Sequence, residues 1–394
     1  MIKIKNIFRN IILFFYYYLR RLMKFLMDRD CFGILIFSYL RPKKTMEKNK
    51  IKKILLINLQ GIGDLIMTTP FLDSLKKEYP KAKIHYLTYK RNGTIFFEDK
   101  RIDKLLVWGG GILNLLKTLF FIRNEKYNLA INLFRAQHSA YLTLLSNATY
   151  KLGFLYSLKL SSNNLKLKKS KFPKTRNQRL AYSFIAQMLG FNIKQIDNLN
   201  LSTKNKKATV AIDKLLTKNK IKKSDKIIGI NCNATWSSKN WSQENWVTLT
   251  KKLLKKHKTK KLVFIGGPND RENVTSILNK VNSTSENIPR LINLAGKCNL
   301  CELPYLIKKF SLFITTDSGP MHVAFATKTK TIALFAVTNP KLLISEKPWF
   351  KIISVHDKVP YFYKFNFNNM PLCGSEYMDE ISADEVLNNV NLIL

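Results

Sequence analysis

Three segments of the chain end an apolar, β-branched run in glycine, hydroxyl, amide and charged side chains. The first is ILLINLQGIGDLIMTTP, residues 54–70. Gly61 and Gly63 let the backbone turn tightly and let a ligand approach the start of a following helix. Asp64 then stands at the carboxyl end of a strand, where open α/β sheets bind their ligands. A GxG without a third glycine is no dinucleotide fingerprint, and a carboxylate is a poor neighbour for a pyrophosphate. Asp64 suits a general base better; a helix-capping aspartate is the alternative. The second segment is GINCNATWSSKNWSQENW, residues 229–246. Its hydroxyls and amides, with Thr235 among them, and the Lys239 ammonium are suitable donors for a diphosphate. The third is FITTDSGPMHVAFA, residues 313–326. Pro320 suits a helix start because it has no N–H to leave unpaired, while neighbouring amides can face an anion. Gly319 permits close approach, Ser318 lies at the turn, Asp317 can accept from sugar hydroxyls, and His322 falls near the first helical turn.

These groups need strands to aim them. Short β-branched runs predict strands at Ile54–Leu59, Ile84–Tyr89, Leu129–Leu133, Ile227–Cys232, Leu262–Gly266, Phe313–Thr316 and Thr331–Phe335, alternating with segments of helical period. Such alternation implies parallel sheets covered by helices. One helix is legible in detail: Ser242 as N-cap, Glu244 in the first turn, Trp246, Leu249 and Leu253 on one face, and Lys251, Lys252, Lys255, Lys256 and His257 near the C-terminus, where the dipole favours cations. The pattern is interrupted between Ser157 and Thr203 by LKLSSNNLKLKKSKFPKTRNQR and resumes beyond the Lys-rich stretches 204–207 and 218–223. The expected division is a segment at 1–50, α/β domains at 51–215 and 216–370 joined near 205–225, and a C-terminal helix within 371–394.

Taken in order, these segments resemble the family 9 glycosyltransferases, the lipopolysaccharide heptosyltransferase group. The likeness is carried by Gly63-Asp64 with Thr69-Pro70, Lys239-Asn240-Trp241, Gly266-Gly267-Pro268 and Asp317-Ser318-Gly319 with His322. Tyr127–Asn132 and Leu294–Lys297 are also similar, so the likeness covers about residues 51–340. It implies an α/β fold of GT-B architecture, two Rossmann-like domains facing across a cleft, with inverting transfer, no metal and no cofactor. By that resemblance Asp64 deprotonates the acceptor hydroxyl and Lys239 offsets charge on the departing nucleoside diphosphate. Thr235, Asp317, Ser318, Gly319 and His322 hold the nucleotide sugar, with ADP-heptose as the expected donor, and Gly61 and Gly63 shape the acceptor-side loop. Three features depart from the family pattern: Ala336-Val337 where a Gly-Pro turn is usual, Asn132 in place of an acidic residue, and the extra first fifty residues.

The 394 residues carry 67 Lys and Arg against 26 Asp and Glu, a formal net charge of +41. The surface must therefore attract anions, although an AT-rich coding bias would also enrich Lys alongside Asn, Ile, Phe and Tyr. Ile11–Leu19 and Phe32–Leu40 are apolar and aromatic with flanking Lys and Arg, which suits a membrane-surface anchor. A signal peptide or a helical pair packed on the protein are the rivals. No apolar run reaches the roughly 18 residues of a spanning helix. Five cysteines, unevenly spread, do not make a disulfide framework and fit a reducing compartment. Cys298-x-x-Cys301 lacks the second pair of a zinc site. Asp28-Arg-Asp30 follows no strand, and Gly109–Gly111 lacks the ending of a phosphate loop. The Lys runs lack the interleaved aromatics of a single-strand binder.

The expectation is thus a peripheral enzyme on the cytoplasmic face of the inner membrane, acting on a lipopolysaccharide core or another anionic lipid-linked acceptor, with no nucleic-acid partner. The competing readings are a sugar-nucleotide epimerase on the same fold and a non-catalytic membrane or nucleic-acid binding module.

Overall fold

The computed structural model describes residues 44–134, 136–155, 159–160, 164–165, 178–282, 289–360 and 374–394. The aromatic runs of the expected anchor, the Asp28-Arg-Asp30 motif and most of the 157–177 interruption lie outside the described residues.

Two six-stranded sheets carry the chain, and they share one strand order. The first orders its strands β3-β2-β1-β4-β5-β6. They are β1 (Lys53–Ile57), β2 (Lys83–Tyr89), β3 (Lys104–Trp108), β4 (Leu129–Asn132), β5 (Tyr150–Leu155) and β6 (Lys159–Leu160). All neighbours are parallel except β5 and β6. The second orders β12-β11-β10-β7-β8-β9, from β7 (Ile227–Asn231), β8 (Lys261–Ile265), β9 (Leu291–Asn293), β10 (Leu312–Thr316), β11 (Thr331–Phe335) and β12 (Phe350–Ser354). All its neighbours are parallel. In each sheet the order runs outward from a central pair, β1 and β4 or β7 and β10. That is the doubly wound arrangement, with a switch point where adjacent connections leave in opposite directions.

Burial follows from the sequence. The central strands are apolar on both faces because helices cover both sides: β7, β10 and β11 are buried at every residue. The seven expected strands form within one or two residues of their expected limits. Helix α7 (Gln243–Lys256) starts where expected, with the Ser242 side chain accepting from the Asn245 amide and Trp246, Leu249 and Leu253 buried. The Lys-rich stretch expected to join the domains contains a helix, α6 (Lys206–Lys218). It is capped by Asn205 and held by Ile212 and Leu216, an i, i+4 pair on its buried side.

By contact, the chain forms two compact units that are not continuous in sequence. The second unit takes Gly61–Glu78 and Arg91–Arg101 together with Pro173–Leu394. The segment that follows β1 therefore belongs to the unit of the second sheet. It holds α1 (Ile62–Met67) and α2 (Thr69–Glu78). No described helix is long and apolar enough to cross a membrane.

Candidate active site

Within the second unit, three strand-to-helix turns supply the polar groups singled out above. The turn after β10 leads into α10 (Gly319–Ala326), with Ser318 at the N-cap and Pro320 in the first turn. The turn after β7 runs through Asn231 and Asn233 to a short 3-10 turn, Ser237–Lys239. The Gly61–Asp64 turn opens α1, which packs on α10.

Two glycines make that packing possible. A Cβ on Gly319 would come within 3.2 Å of Ile62, and a Cβ on Gly63 would sit 2.5 Å from Cδ2 and 2.8 Å from Nε2 of His322. The first turns of the two helices interlock, the imidazole lying where any other residue at 63 would place its side chain. Asp64, in the first turn of α1, is fixed by the same contact.

Lys239 Nζ lies 2.7 Å from Asp317 Oδ2, with 12% and 6% of the two side chains exposed. Burial alone would raise the affinity of Asp317 for a proton, but the adjacent ammonium outweighs it and holds the carboxyl below its usual range. Asp64 goes the other way. Burial raises it to about 6, the negative charge of Asp317 adds to the shift, and Lys239 with the Gly61 amide only partly restrains it. One lysine thus serves two carboxylates, one firmly ionised and one titrating near neutrality, the division expected of an electrostatic partner and a general base.

His322 is 4% exposed and its Nδ1 has no hydrogen-bond partner among the described residues. Burial pushes it down to about 4 against the pull of Asp317, and the charges of Lys239 and Arg179 add to the fall. The ring is neutral at ordinary pH.

Ser318 is held inward. Its Oγ accepts from Asn231 Nδ2 at 2.9 Å and donates to the Thr316 carbonyl, and Asn231 Nδ2 also reaches the Asn233 carbonyl. This network fixes the turns after β7 and β10 against each other. Asp64, Gly61, Gly63, Lys239, Asp317, Gly319 and His322 are brought together. Thr235 is exposed on the bend before the 3-10 turn and takes no part in the cluster's contacts.

Residues given no site role from sequence also matter. Asn240 Oδ1 accepts from the Ala234 amide at 2.6 Å and closes the loop that carries Lys239. The Asn-rich composition of 231–240 was the available signal. Arg179, in α5 (Gln178–Met188), is a buried guanidinium paired with Asp197; it was hidden at the end of a polar, low-complexity run. Asn132 is fully buried and turns its Oδ1 to the Phe134 amide, and Ala336-Val337 is buried where β11 ends. Cys298 and Cys301 are free thiols that burial makes harder to ionise. Among the described residues no three His, Cys, Asp or Glu side chains gather as a metal site.

Comparison with solved structures places the fold among the GT-B glycosyltransferases. A family 9 glycosyl transferase from Veillonella parvula matches with a TM-score of 0.71 at 22% identity, covering 89% of this chain and 98% of that one. The Escherichia coli ADP-heptose lps heptosyltransferase II matches with a TM-score of 0.66 at 18% identity, over 86% and 98%. In sequence, lipopolysaccharide heptosyltransferase 3 of E. coli is 25% identical over 84% of this chain and 96% of its own length. The lipopolysaccharide core heptosyltransferase OpsX of Haemophilus influenzae is 24% identical over 78% and 85%. The family model for glycosyltransferase family 9 (heptosyltransferase) matches residues 114–360. The chain belongs to that family, and it is a glycosyltransferase of the heptosyltransferase kind.

Proposed function

We propose that the enzyme transfers a heptose from ADP-heptose, with inversion at the anomeric carbon, to a lipopolysaccharide core or a related lipid-linked acceptor, as a peripheral protein on the cytoplasmic face of the inner membrane. The names of its relatives support the donor and acceptor classes, and the charge of +41 supports an anionic partner. The observation that carries the reaction is the arrangement of Asp64 and Asp317 around Lys239.

Asp64 takes the proton of the acceptor hydroxyl as that oxygen bonds to the anomeric carbon. The bond from that carbon to the diphosphate oxygen breaks on the opposite face, and its electron pair leaves with the nucleoside diphosphate. A carboxylate titrating near pH 6 is ionised at working pH yet still basic enough to accept the proton, the compromise that favours general-base catalysis. Lys239 and the positive end of α10 offset the charge that builds on the leaving group once the donor is bound. Neutral His322 adds no competing charge and wedges α1 in the position from which Asp64 works.

Asp64→Asn tests the reading, with ADP-heptose as donor and a truncated lipopolysaccharide as acceptor. The variant loses roughly 10²–10⁴-fold in kcat, the span of general-base catalysis, while nucleotide affinity stays within about twofold. Retained turnover, or conversion of the donor without any acceptor, overturns it.

A further inference from the structure

Helix α3 (Ile112–Asn124) is apolar on both sides. Its inner face meets the core of the first unit through buried Ile122 and the partly buried Leu115 and Leu119. Its outer face presents Leu113, Leu116 and Phe120, which are 72%, 57% and 71% exposed. The spacing i, i+3, i+7 makes them one stripe along the helix. Arg123 Nη1 donates to the Leu145 carbonyl at 3.1 Å. That bond ties the end of α3 to the end of α4 (Gln137–Leu145), where Tyr141 and Leu145 are also exposed, one turn apart. A surface helix ordinarily turns polar residues outward, and a contiguous apolar stripe of this kind marks a binding face.

The charges around it select the partner. Lys117 lies on the helix between Leu113 and Phe120, Arg123 and Lys126 follow, and all three are exposed. Glu125 is the single acidic residue between 104 and 147, and Lys53 and Lys104 already engage it. A second copy seated on the same stripe would set cation against cation, since a two-fold interface pairs a patch with itself. An anionic lipid surface takes the apolar side chains below its headgroups and the ammonium and guanidinium groups among them.

We infer that the α3–α4 face of the first unit docks on anionic membrane, independently of the N-terminal segment. The inference deepens the proposed reading of a lipid-linked acceptor and rests on it for the biological setting, but the binding itself needs neither donor nor acceptor.

The test uses the full chain with vesicles of phosphatidylglycerol and phosphatidylethanolamine, and with phosphatidylcholine vesicles as control, following amide hydrogen exchange peptide by peptide. Exchange slows across residues 112–124 and 137–145 with the anionic vesicles only. Leu116→Ser with Phe120→Ser lowers vesicle partition roughly tenfold or more, and Lys117→Glu with Lys126→Glu lowers it at low salt. Both variants retain the wild-type melting temperature, because the altered side chains are exposed, and the N-terminal segment is present in every arm and cancels. Exchange across these helices that ignores the vesicles overturns the proposal. So does protection that rises with protein concentration in the absence of lipid, which would assign the face to a second copy. Turnover on a soluble, delipidated acceptor is unchanged in the serine variant, so failure of the docking face and failure of the transfer reading are told apart.

Discussion

Asp64 and His322 are displaced from their ordinary proton affinities in opposite directions by one first cause, burial. With Asp64 raised to about 6, the folded chain binds a proton there that the unfolded chain has already released between about pH 4 and 6. Stability therefore falls as pH rises through that window. Asp64→Asn removes the penalty, so the inactive variant is the more stable protein at pH 7.5, by on the order of 1–3 kcal/mol. The advantage fades as pH is lowered to about 4, and denaturant midpoints at the two pH values read it. His322 behaves inversely: lowered to about 4, it stays neutral in the fold where an exposed histidine is charged. Between pH 6.5 and 4 it costs stability as pH falls, and His322→Gln spares the protein that loss. Of these two groups only Asp64 must be ionised for transfer, so kcat/KM climbs through about pH 6 and levels off above it; a flat profile from 5 to 8 contradicts a base at this position.

At the level of elements, the decisive contact is between the first turns of α1 and α10. Gly63→Ala drives a methyl group into the His322 ring; overpacking of this kind costs about 1–3 kcal/mol and moves Asp64 with its helix. The single variant loses both kcat and thermal stability. Adding His322→Ala opens the space and restores part of the stability, a coupling that independent sites would not show. This interlock also marks where sequence reading stops. The central strands, the Ser242 cap and the three strand-end motifs were legible because apolar runs, cap residues and glycine turns are local signals. The edge strands β3, β9 and β12 were not, since each has partly exposed positions and little apolar length. Nothing local announces that the helix after β1 groups with the second sheet, or that Arg179 sends its charge toward His322. Such facts are long-range, and they reside in packing rather than in spacing.

For the molecule as a whole, acidic side chains are scarce, 26 among 394 residues, yet Asp317 pairs with Lys239 and Asp64 lies within the reach of its charge. Lys239 is held against Asp317 with both side chains largely buried. On the proposed reading, a donor's diphosphate must pull Lys239 away from that carboxylate to be held. When transfer is complete, the same carboxylate competes for Lys239 again at the very high local concentration of a tethered group. On that reading the pair favours release of the spent nucleotide. Asp317→Asn removes the rival anion, and its complex with ADP dissociates more slowly in stopped-flow displacement; an unchanged or faster release would assign Asp317 to gripping the substrate instead. On that reading the Asp317–Lys239 contact helps set how quickly the enzyme becomes available for its next cycle.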